Sequence, residues 1–261
     1  RGYGHVSVGG INRKVWVTGA ALAKNASLTI PQIGVTYGFT DSVYLDSTAI
    51  RFPDITIYDQ YGQRGSFSGT VNHTNFLNFN YNLRATANNI MVMNLPANQQ
   101  LFYGKVFGSG DVHIYGNEMD CQIDVNARTE ANTKFFLNIN SASQATSSSF
   151  IQFVEPDTTS HYLLSLLQPQ KKETKVNKPE SRMRLSLQGE VTPQAEIHIK
   201  LGADDGIKGH GEGNLKLVYE YPSENVQMQG AYTLHSGQFS FSVGNIVRRN
   251  FTIQEGSQIT W

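Results

Sequence analysis

Alternation of apolar and polar residues with a period of two dominates the chain. Leu77, Phe79, Tyr81 and Leu83 share one side of a run that continues through Ala85 and Ala87. Val112 and Ile114 follow Gly108-Ser-Gly-Asp, and Ile123 and Val125 lie between Cys121 and Ala127. Phe135, Leu137 and Ile139 repeat the pattern, as do Met183, Leu185 and Leu187. It returns in Ile197, Ile199, Leu201, then in Leu215, Leu217, Tyr219, Tyr221. Val226, Met228, Gly230, Tyr232 and Leu234 follow, and then Phe239, Phe241 and Val243. The residues between them, such as His198, Lys200, Lys216 and Gln227, are polar. Each run predicts a strand with one apolar and one wet face. Turn residues separate the runs: Gly62 to Gly65, Asn88-Asn89, Gly116-Asn117 and Gly202 to Gly206. Short links of this kind predict antiparallel meanders.

The alternation fails from Glu155 to Pro179. Tyr162 to Leu167 predicts a short helix, capped by Thr159 or Ser160 and stopped by Pro169. Gln170 to Glu180 is rich in lysine and poor in apolar residues, which reads as a loop. We therefore expect one unit over residues 1–261, with a variable loop or short helix at 155–180. A small Gly-rich unit precedes a strand three times, at Gly65, Gly108 and Gly209. Its spacing is irregular, so it is no solenoid repeat. Glycines at these points suit bends and bulges in a broad sheet.

Composition narrows the function classes. Lys+Arg and Asp+Glu are both 21, so no basic excess points to nucleic acid. No run of eighteen apolar residues is present, so no spanning helix is expected. The chain opens on Arg1 without a leader and closes at Trp261 in a strand-like run, which suggests a piece of a longer protein. Cys121 is the single cysteine and falls on the apolar side of its strand, as a small hydrophobe would. The seven histidines form no metal-spaced pair, and His113, His198 and His235 alternate with apolar residues, which turns them to the wet side. Gly206, Gly209, Gly211 and Gly213 run into Leu215-Lys-Leu-Val, a strand and not the helix that dinucleotide binding needs. No nucleophile elbow appears. We expect no enzyme, no cofactor and no metal.

The last fifty-five residues carry a family pattern. They contain Ile207-Lys-Gly-His-Gly-Glu-Gly, Gly230-Ala-Tyr-Thr-Leu-His-Ser-Gly, and Phe251-Thr-Ile-Gln-Glu-Gly-Ser-Gln-Ile-Thr-Trp. This resembles the TamB C-terminal domain family (translocation and assembly module), in the form typical of Bacteroidetes, over about residues 50–261. The resemblance implies an all-β fold: a long curved antiparallel-rich sheet folded into an open β-taco with an apolar inner groove. It also implies kinship with AsmA-like, bridge-type lipid-transfer proteins of the periplasm. Such proteins are held in the inner membrane by an N-terminal helix outside this sequence. They guide phospholipid acyl chains toward the outer membrane and work with a BamA-like barrel, TamA or an equivalent.

On that reading the lipid-groove residues are Leu77, Phe79, Tyr81, Leu83, Val112, Ile114, Ile123, Val125, Phe135, Leu137, Ile139, Leu185, Leu187, Ile197, Ile199, Leu201, Leu215, Leu217, Tyr219, Met228, Tyr232, Phe239 and Phe241. The alternation alone leaves an open groove and a filled sandwich equally available. Three other functions stay open: an assembly factor that pairs nascent strands along its sheet edge, an outer-membrane barrel, and a carbohydrate-binding sandwich. Only Trp16 and Trp261 are available as stacking platforms for the last.

Overall fold

A computed structural model describes residues 2–11, 14–97, 102–138, 181–202, 205–223, 225–243 and 247–261. The expected helix or loop at 155–180 and the groove residue Ile139 lie outside them. The described residues form fifteen strands and no helix. These are β1 (Gly2–Ile11), β2 (Lys14–Ile30), β3 (Val35–Asp46), β4 (Ala49–Tyr58), β5 (Arg64–Thr74), β6 (Leu77–Leu95), β7 (Phe102–Asn117) and β8 (Asp120–Thr129). The others are β9 (Lys134–Asn138), β10 (Arg182–Val191), β11 (Glu196–Lys200), β12 (Gly206–Tyr221), β13 (Asn225–Val243), β14 (Val247–Thr252) and β15 (Ser257–Thr260). All belong to one sheet. The all-β expectation holds.

From β1 to β8 the strands pair antiparallel in chain order, as short turns dictate. The two parallel pairings, β8 with β10 and β9 with β11, fall where a long stretch of chain separates the partners. Parallel neighbours need such a crossover.

Pairing also closes a ring, β7–β8–β10–β12–β11–β9–β7, where an uninterrupted open sheet was expected. The register explains it. Lys105 pairs with Asn94 of β6 and with Lys134 of β9, while Gly110 pairs with Ala87 of β6 and Ala127 of β8. Hence β8 and β9 lie along the same edge of β7, as two halves of one interrupted strand. By the same logic β10 and β11 lie end to end along β12, and β14 and β15 along β13.

The interruptions are aligned. Residues 130–133, 192–195 and 253–256 break these three composite strands, and β12 shifts register at His210/Gly211. In β6 the shift falls between Ala87 and Ile90. The breaks are stitched to each other. The Thr192 backbone N–H donates to Thr129 Oγ1, the Thr192 hydroxyl donates to the Thr129 carbonyl, and the Glu196 N–H donates to the Thr133 carbonyl. Bulges bend a strand, so their alignment makes a transverse seam between two wings of the sheet.

The core sits on that seam. One cluster packs Val191, Ala195, Tyr232 and Leu234 against Ile197 and Ile207 from one wing and Leu215, Ile259 and Trp261 from the other. The apolar sides of the wings thus meet at the seam. A second cluster joins Val35 and Tyr37 of β3 to Ile90, Met91 and Phe107. There the Tyr37 hydroxyl donates to the Met91 carbonyl at 2.9 Å, and the Asn94 N–H donates to the Ile33 carbonyl at 2.8 Å. Buried Asp59 accepts from the backbone of Met91, Tyr61 and Gln63, which satisfies its carboxylate. Burial, and secondarily the charge of Asp59, pushes the Tyr37 hydroxyl up to about 12.

Candidate functional site: the apolar face

The register collects the inward side chains into rows that cross the strands. One row runs Leu83, Ile114, Ile123, Leu185, Tyr219 across β6, β7, β8, β10 and β12. The next runs Ala85, Val112, Val125, Leu187, Leu217 and on to Met228 of β13. In the second wing Phe102, Leu137, Ile199, Ile207, Phe239 and Phe251 form a row, beside Phe135 and Ile197. Residues far apart in sequence therefore make one continuous apolar surface.

The row nearest the seam is different. Gly65, Ala87, Gly110, Ala127 and Gly189 succeed one another across five strands. At Gly65 and Gly110 a Cβ would run into a backbone carbonyl of the neighbouring strand, that of Thr86 at 2.5 Å and that of Asn126 at 2.1 Å, so the strands approach closely along this row.

Burial falls off with distance from the seam. Along β6, Ile90 and Met91 are buried, Leu83 is half-buried, and Leu77 is 65% exposed. Along β13, Leu234 and Tyr232 are buried, Met228 is half-buried and Val226 is 40% exposed. Phe241 and Leu201 are exposed too, the latter just beyond the end of β11. Ile199 departs from this trend: it is buried at 4% although it sits near a strand end. Most of the expected groove residues are half-buried, including Tyr81, Val112, Val125, Leu187 and Leu217. Tyr232 is instead part of the seam core, and burial pushes its hydroxyl up to about 12.

Phe79 and Tyr81 have a polar margin. The Phe79 N–H donates to Glu118 Oε1 at 3.0 Å, and the Tyr81 hydroxyl donates to the Asn117 carbonyl at 2.9 Å. Burial first, then the nearby Cys121 and Asp120, raises Tyr81 above the usual phenol range. Cys121 lies on the apolar face, paired with Gly116 and Met183, but only partly covered.

His73 is buried, at 4% exposure, unlike the histidines that alternate with apolar residues. It stands two residues from Val71, so its side of the strand was readable. Its Nδ1 accepts from the Phe76 N–H at 3.3 Å, and its ring stacks on Phe76 at 4.3 Å. His113 and His198 lie on the polar face as expected, stacked on Tyr115 and Phe136. That polar face holds a shallow concavity of about 450 Å³ lined by Asn88, Asp111, Asn126, Arg128, Gln188 and Lys216 among others. Nothing in the local sequence marks it, because it forms only when β6, β7, β8, β10 and β12 lie side by side.

The family model described as TamB C-terminal domain matches residues 54–261. No curated protein and no solved structure matches the chain.

Proposed function

The chain belongs to the TamB C-terminal domain family, associated with outer-membrane assembly, and from that premise we propose that its apolar face carries phospholipid acyl chains. The observation that supports this reading is the pair of continuous rows through Val125, Leu187 and Leu217 and through Ile123 and Leu185. They span both halves of the chain yet stay half-exposed. A long apolar surface that is only partly covered marks a binding groove or an interaction face. Each methylene that leaves water is worth about 0.8 kcal/mol, so a sixteen-carbon chain gains on the order of 10 kcal/mol. Rows of similar depth spread that gain along the sheet, so a lipid meets no deep trap. In this reading the segment stands in the periplasm, within an envelope-spanning protein held in the inner membrane. It delivers lipid toward an outer-membrane BamA-like barrel, TamA or an equivalent.

Mass spectrometry of lipids that co-purify with the folded protein tests the reading. Phospholipid is expected with the native protein and is expected to be lost from Leu187→Arg, whose half-buried position lets the guanidinium reach water. A native protein free of lipid would overturn it.

One observation favours a second role in assembly by strand pairing. Among the described residues β1 pairs with β2 alone and exposes Tyr3, Val6, Val8 and Ile11, so its other edge is a template for strand pairing. Crosslinking from β1 to a nascent barrel strand tests it.

A further inference from the structure

The polar face should carry no aromatic row, yet in the second wing it does. Tyr103, Phe136 and His198 occupy neighbouring registers on β7, β9 and β11, on the side opposite Leu137 and Ile199. The Tyr103 and Phe136 rings stack at 4.7 Å with planes 6° apart, and Phe136 stacks on His198 at 4.2 Å. Lys200 Nζ lies 5.4 Å from the Tyr103 ring centroid, and Lys208 is the next residue in the row after His198.

The charge of this wing is equally distinctive. From β7 on, residues 102–106, 134–138, 196–202, 205–210, 236–243 and 247–252 hold Lys105, Lys134, Lys200, Lys208, Arg248 and Arg249 against Glu196 and Asp205. Over the same strands the other wing, residues 108–129, 181–191, 211–223, 225–235 and 257–261, holds seven carboxylates against four cations. A chain of zero net charge is thus polarised across its seam. The cations of the acidic wing are largely paired internally, Arg182 with Asp120 and Arg184 with Glu220. In the basic wing Lys134 pairs with Glu196. Among the described residues no carboxylate lies within 4.0 Å of the exposed Lys200 or Lys208.

We propose that this basic, aromatic-backed outer face of the second wing docks on an anionic phospholipid surface. The ring stack is a rigid platform under Lys200, Lys208 follows His198 in the same row, and both ammonium groups are complementary to lipid phosphates. Such lysines gain from the negative potential of a leaflet, and salt screens that gain. The acidic wing is repelled, so docking orients the sheet with the second wing toward the membrane. The inference concerns the face opposite the acyl-chain rows and stands independently of them.

Sedimentation of the intact protein with vesicles tests it. Binding is expected to phosphatidylcholine vesicles containing phosphatidylglycerol, to be weak with phosphatidylcholine alone, and to disappear at high salt. The double substitution Lys200→Glu and Lys208→Glu should weaken binding tenfold or more with the fold unchanged by circular dichroism. Lys216→Glu, on the polar face of the other wing, should not weaken it. Leu187→Arg should still bind, which separates surface docking from acyl-chain uptake. Equal binding to both vesicle types, or full binding by the double variant, would overturn the inference. So would binding lost in Leu187→Arg alone.

Discussion

Thr133 replaces a missing ladder partner of Phe107. Its hydroxyl accepts from the Phe107 N–H at 3.0 Å and donates to the Phe107 carbonyl at 3.1 Å, and both residues are buried. The seam between the wings therefore leaves no orphaned peptide here. Valine keeps the shape and removes both bonds. Thr133→Val is expected to cost about 1–3 kcal/mol, since the buried Phe107 N–H loses its partner while the Phe107 carbonyl keeps the Glu130 N–H at 2.8 Å. Thr133→Ser keeps the hydroxyl and should cost less. Urea unfolding of the two variants measures this, and equal loss in both would show that the hydroxyl does not close the seam.

Tyr232 makes the converse case. Its buried hydroxyl has no hydrogen-bond partner among the described residues. Tyr232→Phe removes an unsatisfied group and should be neutral or stabilising by up to about 1 kcal/mol. Tyr232→Ala should cost about 3–5 kcal/mol through the cavity it leaves in the seam core. A melting temperature lowered by Tyr232→Phe would mean that the hydroxyl has a partner.

Gly110 belongs to the row of small residues, with φ +153°. A Cβ there would meet the Asn126 carbonyl oxygen at 2.1 Å and Ala127 Cα at 2.6 Å, both backbone atoms that cannot swing away. Gly110→Ala is expected to cost about 2–4 kcal/mol. Gly62 also has positive φ, +79°, but nothing lies within 4 Å of its would-be Cβ. Gly62→Ala should cost only about 1 kcal/mol of backbone strain. Similar losses at both sites in thermal unfolding would remove the close approach as the reason for the small row.

The one-sided strands were legible because alternation reports which face is buried, and Leu83, Ile123, Leu185 and Leu217 fall on one surface as their spacing required. The seam was not legible. Thr129, Thr133 and Thr192 read as ordinary turn and strand residues, and their role arises only when separate stretches of chain line up. Nor could alternation separate Tyr232 from Met228. Both lie on the same side of β13, but only Tyr232 lies at the seam, where the wings meet. Ile199 looked like a groove residue and is buried, because depth depends on neighbours across the sheet and not on spacing along it. The outer aromatic stack was hidden for the same reason: Tyr103, Phe136 and His198 are separated by tens of residues.

Glu196 gives the account a pH signature. Burial pushes its carboxyl up, but hydrogen bonds from His198 Nε2 at 2.6 Å and Lys134 Nζ at 3.2 Å outweigh it and hold the group below the usual carboxylate range. A depressed folded value means that the unfolded chain binds the proton more readily. The stabilisation is therefore complete above the unfolded value near 4.3 and is lost as pH falls through the folded one. Glu196→Gln should destabilise by under about 1 kcal/mol at pH 6, and the gap from the native protein should close between about pH 5 and pH 3. A gap that widens toward acid pH would reverse the sign argued here.

Leu187 and Gln188 are neighbours on β10 that face opposite sides of the sheet, one in the half-exposed apolar row and one in the polar concavity. The most direct test of the acyl-chain reading places a photocrosslinking amino acid at each in turn and exposes living cells to light. Phospholipid is expected on the protein labelled at 187 and not on the protein labelled at 188. Equal labelling at both positions, or none at 187, would contradict the account.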